Sequence, residues 1–302
     1  MKLKIARFIF SLIMLILSLE SVIGQVESSH EVKNDSLDKR KLRRFIIVSG
    51  TGYTTTMILL NHLWYKDFPR SKFHFFNDNH EWLQMDKVGH SFSTFHLSHM
   101  IERQLSLAGV SANKSSLYGS LSGFLLMVPI EWFDGYSSAY GASSGDLIAN
   151  FLGSGLFYVN NRFNKMIPLN FKYSFIQGDL APLRPEVLGK TYTEQLLKNY
   201  NAQAYWITLG LKEIIPLQNF PDWLHLGVGY GGEGMIYARD DVNTANGYSM
   251  YRQFYLGLDI DLSHIKSKSA IVNSLLYVFN TIHIPAPAIE FSQKKIKYNW
   301  FR

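Results

Sequence analysis

The sequence predicts an α+β protein, with an N-terminal bundle of apolar, glycine-rich helices followed by a small antiparallel β-sheet region that carries an amphipathic helix. Between residues 45 and 160, long apolar runs favour helices that are buried on all sides. From residue 254 to residue 262, large apolar side chains alternate with other residues, which is the period of a strand. The composition agrees with extensive burial, because 47% of the residues are hydrophobic and only 18% are charged. This pattern leaves open whether the helices are embedded in a membrane.

The beginning of the chain has the pattern of an export signal. Lys2, Lys4 and Arg7 precede an apolar segment that ends at Leu19. The alternative is a membrane anchor that is not cleaved. The polar residues that follow end in a basic cluster, which predicts a flexible linker. We therefore expect four parts: a leader or anchor (1–24), a basic linker (25–44), a helical domain (45–165) and a β-rich region (166–302).

Residues 45–64 are apolar over a length that could span a bilayer. If the leader is exported, however, the basic cluster before them lies on the outer side, whereas basic residues normally stay on the cytoplasmic side. We therefore predict a buried helix or a helix that lies in the membrane surface. Two later apolar runs, Leu121–Phe133 and Leu147–Val159, have 13 residues each, which is more typical of core helices than of spans.

The second half of the chain favours strands. Besides residues 254–262, the patterns predict strands at 171–175, 205–211, 226–230 and 288–291, and a helix at 270–280. The segment Gly229–Gly234 matches G-x-G-x-x-G, but no helix opens after it and no βαβ unit surrounds it. We interpret it as a glycine-rich strand rather than as a dinucleotide site.

Composition excludes several classes of site. The chain has no cysteine, so it has no disulfide, thiolate nucleophile or cysteine-ligated metal. Its net charge of +6 favours anionic lipid or envelope polymer, and no basic tract with interleaved aromatics indicates nucleic-acid binding. We expect membrane or envelope lipid as a partner, and a protein partner at the C-terminal sheet as a second option. No organic cofactor is indicated, whereas a divalent cation is compatible with the acidic residues described next.

The first candidate site element is Asp86-Lys87-x-x-His90. Asp86 and His90 are four residues apart and share one face of a helix. A carboxylate behind an imidazole fixes its tautomer and raises its basicity, so His90 is a candidate general base and Asp86 its orienting group. The alternative is a capped helix with a satisfied core histidine.

The second element, Glu131 and Asp134, lies one helical turn apart at the end of an apolar helix. Like charges at this spacing repel, so we expect one of the two to be protonated or bound to a cation, to Lys87 or to an imidazolium. They are candidates for an acid or a cation ligand. The alternative is a solvated helix end.

The third element is Asp146 and Asn150, which share a helical face beside a stripe of small residues that includes Gly145 and Gly153. Such stripes let two helices approach closely, which brings Asp146 and Asn150 against another helix. In a catalytic site, Asp146 and Asn150 would position a substrate or a metal. The alternative is polar contacts between helices that only specify packing.

These three blocks, in this order, resemble the YfiM-like family of predicted periplasmic lipoproteins, whose function is unknown. The blocks are Asp86–His90, Glu131–Gly135 and Ser143–Asn150, and the resemblance extends over residues 45–160. The same skeleton is similar to that of VanZ-like membrane proteins. The chain has no cysteine for a lipobox, which departs from the lipoprotein pattern and leaves the mode of anchoring open.

The resemblance implies an exported protein on the periplasmic side of the cell envelope, associated with the membrane. We expect a structural or accessory role, in which the polar cluster holds helices together. The alternative is an envelope hydrolase or transferase that acts on a lipid-linked or cell-wall substrate through His90 and the carboxylates. The sequence does not decide whether the protein is an enzyme, although the lack of an obvious nucleophile favours the structural role.

Overall fold

A computed structural model describes residues 37–65, 69–163, 168–215, 221–293, 295–300 and 302. These residues form two units. We call residues 37–79 together with 90–162 the helical unit, and residues 80–89 together with 163–302 the sheet unit. The predicted leader at 1–24 and most of the predicted linker lie outside the described residues.

Four long helices account for most of the helical unit. They are α1 (Lys39–Tyr65), α2 (Met85–Leu107, whose first five residues belong to the sheet unit), α3 (Ala112–Gly135) and α4 (Ser144–Phe163). Helix α1 includes the basic cluster at 39–44, in which Leu42 is the one apolar residue. Asp38 caps this helix, because its side chain accepts hydrogen bonds from the N–H groups of Arg40 and Lys41.

Small residues set the distance between α2, α3 and α4. A Cβ at Gly153 would collide with the backbone carbonyl of Ser91, and one at Gly123 would collide with Ser98. The close approach lets serine hydroxyls reach carbonyls on the neighbouring helix. Ser91 donates to the Ala149 carbonyl at 2.8 Å, and Ser120 donates to the Ser154 carbonyl at 2.8 Å. Polar side chains therefore take part in the packing of these helices.

The prediction of a bundle of apolar helices, with membrane embedding left open, is wrong. Within the described ranges, none of the helices combines the length and the hydropathy needed to cross a bilayer. The physical reason is their polar content. Helix α1 begins with a basic run, and the buried residues of α3 and α4 include Ser116, Ser120 and Asn150.

The sheet unit contains a six-stranded antiparallel sheet, which is larger than predicted. Its strands are β1 (Leu169–Phe175), β2 (Gln203–Gly210), β3 (Leu224–Glu233), β4 (Tyr251–Ile260), β5 (Ala288–Ser292) and β6 (Lys295–Asn299), and each pairs with its neighbours in the chain. The shorter helices of this unit are α5 (Pro185–Leu188), α6 (Tyr192–Lys198), α7 (Leu211–Ile214), α8 (Asp240–Ala245) and α9 (Ala270–Asn280). The glycine-rich segment from Gly229 lies in β3 except for its last residue, Gly234, and a Cβ at Gly229 would lie 2.8 Å from the buried Trp206 ring.

The two faces of the sheet differ in an unusual way. On β4, Gln253, Tyr255 and Asp259 are buried, whereas Phe254 and Leu256 are exposed. Neighbouring strands continue the exposed face, because the register places apolar residues opposite one another. This apolar sheet face comprises Leu226, Val228, Phe254, Leu256, Leu258, Ile289, Phe291, Ile296 and Tyr298.

The buried side of the sheet contains an ion pair. Lys172 on β1 and Asp259 on β4 are both fully buried, and their charged atoms lie 2.6 Å apart. Lys172 also donates to the Ile260 carbonyl and to Asn280, and His283 lies 3.0 Å from the second oxygen of Asp259. Both charges are therefore surrounded by partners, which a buried ion pair requires.

Replacing Lys172 by Met should leave Asp259 as a buried charge without its cation. We expect the free energy of unfolding to fall by about 3–5 kcal/mol in denaturant titrations. Lys212→Met, which removes an exposed ion pair with Asp222, should change stability little. The double variant Lys172→Met, Asp259→Asn should regain part of the loss, because no buried charge remains. Equal stability of the Lys172 and Lys212 variants would contradict this account.

Candidate functional site

Three helices of the helical unit bring four of the predicted residues together. His90 lies on α2, Glu131 lies near the end of α3, and Asp146 and Asn150 lie one turn apart on α4. Glu131, Asp146 and Asn150 are at most 5% exposed, whereas the His90 side chain is 17% exposed. We call these four residues the polar cluster.

His90 is oriented by Asn150. Its Nδ1 lies 3.1 Å from Asn150 Oδ1, and the Thr94 hydroxyl donates to the same oxygen at 2.9 Å. Because an amide oxygen only accepts hydrogen bonds, the imidazole donates through Nδ1. In the neutral ring, Nε2 is therefore the nitrogen that can accept a proton or bind a cation.

Nε2 of His90 faces a carboxylate. It lies 3.9 Å from Asp146 Oδ1, which is an ion-pair distance when the ring is protonated and is too long for a direct hydrogen bond. An imidazole nitrogen and a carboxylate oxygen are both ligands that divalent cations accept. A cation in the polar cluster remains a prediction.

Ser143 connects Glu131 to the start of α4. Its backbone N–H donates to Glu131 Oε2 at 3.0 Å, and its hydroxyl accepts from the Asp146 N–H at 3.1 Å. The same hydroxyl donates to Asp78 at 2.6 Å. Ser143 is thus the N-cap of α4, and a carboxylate from α3 satisfies the backbone N–H of this cap residue.

Glu131 has an unusual protonation equilibrium. Burial raises the pKa of its carboxyl group to about 7, and the negative charge of Asp146 adds to this effect. The charge of His90 and the hydrogen bond from Ser143 act in the opposite direction, and Asp134 contributes a smaller upward shift. Glu131 therefore changes its charge close to neutral pH.

One donor in the polar cluster lacks a partner. Asn150 is fully buried, and among the described residues its Nδ2 has no hydrogen-bond acceptor. A buried N–H without an acceptor costs free energy, so this group reduces the stabilisation that the polar cluster provides.

The remaining predicted residues lie on the same three helices. Asp86 and Lys87 belong to the sheet unit, where Asp86 accepts from Tyr200 at 2.9 Å and from Lys87 at 3.3 Å. Asp86 precedes His90 by one turn of α2. Gly145 is half-buried on α4, and Gly153 is the glycine that contacts Ser91.

Thr94, Ser143 and Asp78 were not among the predicted site residues. A signal was present for Ser143, because Ser143-x-x-Asp146 has the spacing of a capping box before an apolar run. Thr94 lies one turn after His90, and that spacing alone does not reveal a contact with Asn150, which is 56 positions away.

Part of the chain matches a known family. Residues 74–162, less than a third of the chain, match a family described as predicted periplasmic lipoprotein (DUF2279). No curated protein and no solved structure matches the chain. The match includes the whole polar cluster and confirms the predicted location, which is exported, on the periplasmic side of the cell envelope and membrane-associated.

The raised pKa of Glu131 predicts how stability depends on pH. The folded state favours the protonated form of Glu131. The stabilisation that this group gives to the folded state is therefore complete below about pH 4.5 and is lost as the pH rises through 7. The loss is on the order of 3 kcal/mol. Glu131→Gln stays neutral, so guanidinium titrations should show it to be more stable than the wild type at pH 8 and similar at pH 5.

The control is Glu213→Gln, which removes an exposed carboxylate outside the polar cluster. It should keep the wild-type dependence on pH. A Glu131 variant that differs from the wild type by the same amount at both pH values would show that this group does not titrate near neutrality.

Proposed function

We propose that this protein is a structural or accessory protein of the cell envelope, and that the polar cluster serves to hold α2, α3 and α4 in one arrangement. The observation that carries the proposal is the near-complete burial of Glu131, Asp146 and Asn150. A catalytic group must touch its substrate, and these three side chains present almost no surface to one.

The hydrogen bonds of the polar cluster support the same role. The pairs His90–Asn150 and Thr94–Asn150 join α2 to α4, and Ser143–Glu131 joins the start of α4 to α3. The interhelical bonds of Ser91 and Ser120 lie along the same helices. Together these contacts specify which helix faces meet, a task that apolar contacts perform less selectively.

An envelope enzyme is the alternative, and one observation favours it. His90 Nε2 faces Asp146, and Glu131 has a pKa of about 7, so a base and an acid stand close together at neutral pH. In this role, His90 would be the general base and Glu131 the acid of a hydrolase or transferase. The resemblance to YfiM-like and VanZ-like proteins supports a lipid-linked or cell-wall substrate.

Asn150→Ala separates the two roles. In the structural role, the change removes the acceptor shared by Thr94 and His90, so the free energy of unfolding should fall by about 1–3 kcal/mol. Asn113→Ala, an exposed position on α3, should stay within about 0.5 kcal/mol of the wild type. Thermal and chemical denaturation would measure both.

The decisive comparison adds complementation of a deletion strain. In the structural role, Asn150→Ala and His90→Ala should lose function only as far as they lose folded protein. Variants that keep wild-type stability and abundance but fail to complement would support the enzyme instead.

We also propose that the apolar sheet face lies against an envelope lipid surface. Val228 is 60% exposed and Phe254 is 50% exposed, although both lie in the middle of the face. Arg252 shares this face, whereas Lys295 and Lys297 on the edge strand β6 alternate with its apolar residues. An exposed apolar face with an arginine on it suits an anionic membrane surface.

Vesicle binding tests this part of the proposal. The purified chain should sediment with vesicles of phosphatidylethanolamine and phosphatidylglycerol more than with neutral phosphatidylcholine vesicles. The double variant Val228→Ser, Phe254→Ser should bind at least about tenfold more weakly, because two apolar side chains are lost from the contact.

Val242→Ser on α8 is the matched control, since it removes a partly exposed apolar side chain outside this face. It should bind like the wild type. Absence of binding to both kinds of vesicle, or equal binding of the double variant, would exclude lipid and direct attention to a protein partner for the same face.

A further inference from the structure

Two histidines and an aspartate converge at one end of the sheet. His225 is the second residue of β3, Asp261 directly follows β4, and His264 ends the short 3₁₀ turn Leu262–His264. Asp261 Oδ2 lies 3.4 Å from His225 Nε2 and 3.6 Å from His264 Nε2, and the three ligand atoms all lie within 4.8 Å of one another. These residues lie outside residues 74–162, the segment that matches the lipoprotein family.

We propose that His225, Asp261 and His264 form a zinc site that is independent of the polar cluster. Zinc bonds to imidazole nitrogen and carboxylate oxygen are about 2.0–2.2 Å long, so neighbouring donor atoms of a tetrahedral site lie about 3.3–3.5 Å apart. The two shorter separations are therefore close to those of a zinc site. Two imidazoles and one carboxylate also bind zinc better than magnesium or calcium, because the latter two ions prefer oxygen ligands.

The hydrogen-bond partners of His225 and Asp261 are placed as a metal site requires. Nδ1 of His225 lies 3.4 Å from the Thr208 hydroxyl, so binding of zinc at Nε2 leaves Nδ1–H directed at an acceptor. Asp261 Oδ1 accepts from the Ser263 N–H at 3.0 Å and from Asn280 at 2.8 Å. These bonds fix the carboxylate with Oδ2 towards both histidines.

The site is closed on one side and open on the other. His225 and Asp261 are 3% and 5% exposed, whereas the His264 side chain is 46% exposed. On the side of β2, Gly210 has no side chain, and a Cβ there would lie 3.8 Å from His225 Nε2. The ion can thus enter past His264 and complete its shell with water, as in zinc sites with three protein ligands.

Zinc binding by the full chain tests the proposal. The protein, freed of any histidine tag and of metal by chelation, should bind about one zinc per chain in competition with a chromophoric chelator, and zinc should raise its midpoint of thermal unfolding. His264→Ala should weaken zinc binding at least about tenfold. Its fold should be intact because His264 is exposed.

His80→Ala removes another exposed histidine of the sheet unit and should bind zinc like the wild type. Asp261→Asn should behave like His264→Ala. The proposal is overturned if the wild type binds no stoichiometric zinc, if His264→Ala binds it unchanged, or if binding is lost in His90→Ala instead. None of these results depends on the role of the polar cluster.

Discussion

Polar side chains that are buried must find partners, and this constraint shapes both units of the protein. In the helical unit, serines, Asn150 and Glu131 lie between helices and are bound to backbone groups or to one another. In the sheet unit, Lys172 and Asp259 occupy the buried face. An unpaired charge in either place would cost several kcal/mol, so each partner fixes the position of the next.

Apolar side chains, in contrast, occupy part of the surface of both units. Many large apolar side chains are exposed, among them Leu125 and Phe151 on the helices and Val228 and Phe254 on the sheet. Exposed apolar surface of this extent marks an interaction site in most proteins. A location in the envelope provides lipid and protein surfaces that could cover it.

The sequence predicted where the helices and strands lie better than it predicted which of their faces are buried. Alternation identified β4, and helical spacing placed Asp146 and Asn150 on one face of α4. Alternation does not say which set of side chains is buried, and here the smaller and more polar set of β4 is buried. Strand β6 was missed because its apolar residues alternate with lysines in a five-residue segment, which is typical of a protected edge.

The grouping of the site was also only partly predictable. His90, Asp146 and Asn150 were singled out as ionisable or polar groups in apolar segments, where they need partners. The bond between Glu131 and the Ser143 backbone was not predictable, because it depends on how the loop after α3 folds back. The zinc ligands escaped notice since His225 is separated by 36 residues from Asp261, and only the pairing of β3 with β4 brings them together.

The order of the strands has a consequence for how the sheet forms. Every strand pairs with the strand that precedes or follows it, so each pairing closes a loop between chain neighbours. Closing such loops costs less conformational entropy than joining distant segments, which speeds folding. A chain that emerges gradually from an export channel could therefore add one hairpin at a time, and would need no contact from its far end before β1 and β2 begin to pair.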